Sequence, residues 1–143
     1  MMFLDVSNAK SSGARLITQY FPTNGCQFAC LTIEYLLCGN APKSLYIIQQ
    51  DKKNYCVLQV RNTRAQGWTN SSVTIDLSNG SPRFFIEAHF DCLPPKYGSI
   101  AISNMAFTYG KCRDNQIIDE NIISLNDQCD VNNILTDLNY GYF

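Results

Sequence analysis

The chain has 143 residues, of which 45% are hydrophobic and only 16% charged, with a formal net charge of −1. That length suits one domain with a core of its own and leaves little for a second. The scattered Lys and Arg exclude a basic nucleic-acid surface, and no apolar run approaches the ~20 residues that cross a bilayer.

The opening, MMFLDVSNAK, has neither a basic n-region nor a long apolar stretch, so it is not a secretory leader. After it the periodicity is that of β-structure as far as residue 112. Seven runs are expected to be strands: 14–20, 30–37, 44–50, 55–61, 72–77, 83–90 and 98–109. Val73, Ile75 and Leu77 alternate with Thr74 and Asp76. Phe84, Ile86, Ala88 and Phe90 alternate with Phe85, Glu87 and His89, which predicts one buried face and one wet face. Turn formers separate the runs at 22–25, 39–42, 51–54, 62–67, 78–82 and 94–98. Short strands at this spacing predict an all-β sandwich or barrel, and no segment of the first 112 residues carries a 3.6-residue stripe. Residues 113–143 are rich in Asn and Asp and read as a tail or linker, irregular or with a short helix near 118–125.

Seven cysteines mark the chain: Cys26, Cys30, Cys38, Cys56, Cys92, Cys112 and Cys129. Zinc ligands come in close pairs, and here only Cys26 and Cys30 are near each other, with the sole histidine, His89, far along the chain. Disulfides are the better reading, and they place the protein in an oxidising, extracellular setting. One cysteine is left over from an odd set. Two sequons, at Asn70 and Asn79, sit in turn-like sequence and are candidate glycan acceptors; Pro82 makes the second the poorer one. An extracellular chain without a leader is expected to be a piece of a larger secreted or cell-surface protein.

Nothing points to catalysis. A Cys–His hydrolase needs a base beside a thiolate, and His89 lies in a strand pattern opposite the apolar face. Asp5, Glu34, Asp76, Glu87 and Asp91 show no spacing that sets up a carboxylate pair. Neither a phosphate-binding glycine loop nor a nucleophile elbow occurs. No cofactor and no metal is expected.

Six segments in order, MMFLDVSNAKSSGARLITQYFP, CLTIEYLLCG, SLYIIQQ, QGWTNSSVTIDL, FFIEAHF and GSIAISNMAFTYGKC, together resemble the MAM domain, an extracellular module of meprins, neuropilins and receptor-type protein tyrosine phosphatases. Residues 1–22, MMFLDVSNAKSSGARLITQYFP, resemble its opening hydrophobic-V-D…A-R-L-x-S-P segment. CLTIEYLLCG at 30–39 resembles C-L-x-F-x-Y-x-M-x-G, and SLYIIQQ at 44–50 the strand that follows. QGWTNSSVTIDL at 66–77 supplies the family's tryptophan as Trp68, and FFIEAHF at 84–90 its next strand. GSIAISNMAFTYGKC at 98–112 resembles G-D-I-A-I-D-D-I-x-F-x-x-G-x-C.

The resemblance covers residues 1–112 and implies a two-sheet antiparallel jelly roll, an adhesive role and a Cys30–Cys112 disulfide. It implies a protein partner, homophilic contacts or a homodimer among the possibilities, with no nucleic acid and no membrane insertion. The family's own opening segment, with its cysteine pair, is missing. Its last-strand aspartates are Ser99, Ser103 and Asn104 here, which argues against a bound cation. Trp68 is expected in the core or as a plug at the head of its strand, the alternative being an aromatic anchor for a partner or sugar. If successive strands reverse direction, Cys26, Cys30, Cys56 and Cys112 fall at one end and Cys38 and Cys92 at the other. That suggests Cys38–Cys92 and Cys26–Cys56, leaving Cys129. Two other functions stay open: a carbohydrate-binding jelly roll, and a non-catalytic accessory domain of a secreted metalloprotease.

Overall fold

The computed structural model describes residues 1–7, 9–63, 67–91, 93–113 and 140–142. Nine strands are formed: β1 (Met2–Asp5), β2 (Gly13–Ile17), β3 (Phe28–Gly39), β4 (Pro42–Gln50), β5 (Asn54–Arg61), β6 (Thr69–Asp76), β7 (Arg83–Phe90), β8 (Gly98–Tyr109) and β9 (Tyr140–Tyr142). They make two sheets, one of order β1-β8-β3-β6 and one of order β5-β4-β7-β2-β9. All pairings are antiparallel except β9 on β2. The all-β jelly-roll architecture is therefore the one expected. Tyr140–Tyr142 adds a strand that the reading of a loose tail did not foresee. The predicted helix near 118–125 lies outside the described residues.

Alternation fills the space between the sheets. Leu31, Ile33, Tyr35 and Leu37 of β3 and Val73 and Ile75 of β6 meet Leu45 and Ile47 of β4 and Phe84, Ile86 and Ala88 of β7. At one end, called the lower end here, Phe21 stacks on Phe107 with centroids 4.6 Å apart, and Phe84 of the opposite sheet closes the cluster at 5.8 and 6.2 Å. Gln49 ties the sheets there as well: its buried amide donates to the Asp76 carbonyl (3.0 Å) and to Asp51 (3.1 Å). Asp51 also accepts from the Tyr55 hydroxyl, and burial together with that carboxylate pushes the Tyr55 pKa upward.

Of three register shifts in the described ladders, one leaves Lys43 extra at the start of β4 against β7, and the other two decide which side chains face inward. Against β3, Glu34 pairs with Asn104 and Tyr35 with Ile102, so Ser103 is an extra residue in β8. Ile100 and Ile102 before it and Met105 and Phe107 after it all reach the core. Against β4, Ile47 pairs with Leu58 and Ile48 with Cys56, so Val57 is the extra residue in β5. Leu58 and Tyr55 pack with the core, while Cys56 turns to the outer face beside Ile48, Phe85 and Tyr46.

The outer face of β7 departs from the wet face its sequence predicts. Phe85 is buried and Glu87 is 0% exposed. β7 is the middle strand of its sheet, so long side chains of both neighbours close over it. The Arg15 and Arg83 guanidinium groups lie 5.2 and 5.3 Å from the Phe85 ring, and Arg15 ion-pairs with Glu87. His89 places Nε2 3.9 Å from the Glu87 carboxylate and its ring edge-on to Tyr46.

Candidate functional site

The loops at the upper end of the sandwich converge around two glycines. Gly39 closes β3 and Gly98 opens β8, and the two are cross-strand partners. Both have positive φ, at 93° and 133°. A Cβ on Gly98 would lie 2.1 Å from the Cys38 carbonyl oxygen, and one on Gly39 2.5 Å from the Gly98 Cα. Only hydrogen at these positions lets the backbones approach so closely.

That contact holds the loop preceding β8 against the turn between β3 and β4. Asn40 accepts from the Tyr97 N–H (2.9 Å) and donates to the Pro95 carbonyl (3.3 Å). The Ala41 N–H donates to Tyr97 O (3.0 Å), and the Asp91 N–H to Ala41 O (2.8 Å). Lys43 pairs with Asp91 at 2.7 Å, and the Lys96 ammonium donates to the Ala9 carbonyl. Asn62, past β5, donates to the carbonyls of Gly39 (3.1 Å) and Pro42 (2.7 Å). The loop is fixed by its polar atoms and leaves its apolar side chains outside. Leu93 is 77% exposed, Tyr97 61% and Trp68 44%, and Pro94 and Pro95 are exposed too. Trp68 is therefore not in the core: it stands at the head of β6, the other position expected for it, with part of its ring open to solvent.

The cysteines divide in a way that strand direction alone does not predict. Cys30 and Cys112 are joined, their α-carbons 4.8 Å apart. Cys26 and Cys38 carry free thiols, so neither Cys26–Cys56 nor Cys38–Cys92 is formed. The reason is facial. Cys26 packs against the core from the lower loop, whereas the Val57 bulge puts Cys56 on the outer side of the other sheet. Cys38 is exposed on the outer face of the β3 sheet. Cys56 is itself disulfide-bonded. Cys92 and Cys129 lie outside the described residues.

Asn70 is exposed on β6, the edge strand of its sheet, opposite Glu34. Asn79 is exposed in the turn that joins β6 to β7, where Gly80 N–H donates to Leu77 O (3.1 Å). In the same turn the Ser78 N–H donates to the Asp76 carboxylate, which lowers the Asp76 pKa. The Ser103 hydroxyl donates to Glu34, and Asp5 is the cross-strand partner of Ser99, so two carboxylates lie near the positions where the resemblance led to aspartates. Among the described residues no three His, Cys, Asp or Glu side chains converge to hold a metal.

The Glu87–Arg15 pair is a structural tie rather than a site. Glu87→Ala is expected to lower stability by about 3 kcal/mol, because it takes the counter-charge from a largely buried guanidinium. Glu87→Gln keeps the shape and should lose less. Urea midpoints of the two variants check the order.

The model of the MAM domain, meprin/A5/mu, matches residues 1–113. The chain belongs to the MAM family. No curated protein matches it at a significant level. Among solved structures, CBM35 from Cellvibrio japonicus Abf62 is 19% identical, covers 78% of this chain and 100% of its own, and superposes with a TM-score of 0.34. That likeness is too slight to bear on function. MAM modules are extracellular, non-catalytic and mediate contacts between proteins. No described helix of this MAM domain is long and apolar enough to cross a membrane.

Proposed function

We propose that the chain is an extracellular adhesion or interaction module of a larger cell-surface or secreted protein, with residues 1–112 as the module and 113–143 as its tail. Family membership carries the reading. The fold supports it: a stapled sandwich presents fixed loops with apolar side chains outside, which is how a rigid scaffold offers a binding surface. The partner is a protein, with homophilic pairing as one form. Asn70 is the better glycan acceptor of the two sequons, since it is exposed and no proline follows it closely.

The carbohydrate alternative needs open aromatics on one sheet face. Phe85 is buried on the outer face of β7; among the described exposed aromatics a single one, Phe3 of the edge strand β1, stands on a sheet face, while Tyr20, Trp68, Tyr97 and Tyr109 lie in loops or at strand ends. That arrangement favours a protein partner. The test is saturable binding of the secreted full chain, coupled to beads, to cell surfaces. Loss of binding after mild protease treatment of the cells supports the proposal. Loss after glycosidase treatment alone, or recovery of a protein with seven reactive thiols, overturns it.

A further inference from the structure

We infer that the Leu93–Tyr97 loop is the docking patch of this module, and that its partner is a protein surface with an apolar centre flanked by carboxylates. The inference rests on the interaction reading above and names the patch and the partner chemistry for it.

Three observations carry the argument. The first is preorganisation. Both ends of the loop are fixed by backbone bonds to Ala41 and side-chain bonds to Asn40, over the Gly39–Gly98 contact. A loop already held in one shape loses little entropy when a partner binds.

The second is what that loop shows. Leu93, Pro94, Pro95 and Tyr97 are four exposed apolar or aromatic residues in a stretch of five, on a chain with ample room to bury such groups. The Pro95 carbonyl and the Tyr97 N–H and carbonyl turn inward to bonds while the four side chains stay outside. An exposed patch of this kind marks a site of association, and a leucine beside a tyrosine supplies the anchors on which binding energy concentrates.

The third is charge. Among the described residues the upper loops and strand ends carry Lys10, Lys43, Arg61 and Lys96 against Asp5 and Asp91, and Asp91 is already paired with Lys43. Lys10, Lys43 and Arg61 are exposed. A cationic rim around an apolar centre selects a partner of opposite pattern: carboxylates for the rim, an aliphatic or aromatic residue for the middle. The rim speeds encounter and rejects basic partners, and the centre sets the lifetime of the complex.

The test uses a display library of random twelve-residue peptides as probe, panned on the full chain. Peptides enriched in Asp and Glu around a Leu, Phe or Trp are expected. Their binding should fall more than about tenfold on Leu93→Ser/Tyr97→Ser, as loss of anchor residues does. It should also weaken on Lys10→Glu/Arg61→Glu and in raised salt. The Cys30–Cys112 bond and a native circular-dichroism spectrum establish that each variant is folded. The two variants act through different chemistry, so failure of one to fold leaves the other to decide. No enriched peptide, peptides without acidic bias, or equal binding to Leu93→Ser/Tyr97→Ser each overturns the inference. Cell binding that ignores both variants also removes the patch but leaves the module reading intact. Absence of any cell binding removes the module reading whatever the peptides show.

Discussion

Replacing Cys30 and Cys112 together by serine is expected to lower the stability of the domain by about 4–5 kcal/mol. The bond spans a sequence separation of 82, and closing a loop that long removes much of the freedom of the unfolded chain. The loss is a large part of the roughly 5–15 kcal/mol that holds a domain together. A fall in Tm of about 15–25 °C corresponds to it for a domain of this size. Scanning calorimetry of the oxidised wild type and the double variant measures the difference. A drop of only a few degrees would mean that the unfolded chain is already constrained elsewhere. Reduction of the wild type gives a less specific result, because Cys56 is oxidised too.

Gly98→Ala is expected to be the most damaging alanine substitution among the described positive-φ glycines. The new Cβ would meet the Cys38 carbonyl oxygen at 2.1 Å, and that oxygen is backbone, which cannot swing aside. A φ of 133° adds strain that an L side chain rarely accepts. Together the clash and the strain are expected to remove about 3–5 kcal/mol. Gly80→Ala is the control. Its φ of 108° is also positive, but nothing lies within 4 Å of the added carbon. It should lose only the conformational part, about 1–2 kcal/mol. Equal unfolding midpoints for the two variants would refute the role given to the Gly39–Gly98 contact. Gly98→Ala should also release the Tyr97 loop, so hydrogen exchange at Tyr97 and Ala41 should quicken.

The strands were legible because each keeps its own alternation over several residues, from Leu31–Leu37 to Phe84–Phe90. Hidden were the bulges, those at Ser103 and Val57 above all. A bulge adds one residue to one strand and exchanges faces for everything beyond it. Val57 does this to Cys56, so counting strand directions placed Cys56 at the correct end and on the wrong side, away from Cys26. Cys38 is exposed and carries a free thiol, and Cys92, the partner that strand direction suggested for it, lies outside the described residues.

Glu87 and Phe85 show a second limit. Polar or mixed alternation marks the outer face of a strand, but burial of that face depends on how many neighbours flank it in the sheet. The upper loop was visible only as a turn. Its Pro and Gly residues told where the chain bends, and nothing in them showed that Asn40 would pin it with Leu93 and Tyr97 outside.

The Cys30–Cys112 bond also sets how the module carries mechanical load. Tension drawn through residue 113 passes at Cys112 straight across to Cys30, bypassing the strands in between. On the amino-terminal side only residues 1–29 can then be pulled out, an extension of roughly 100 Å. The core strands from β3 to β8 stay slack inside a covalent ring, so once β9 has been drawn off β2 a tether built from this domain would yield by one further short step and then hold.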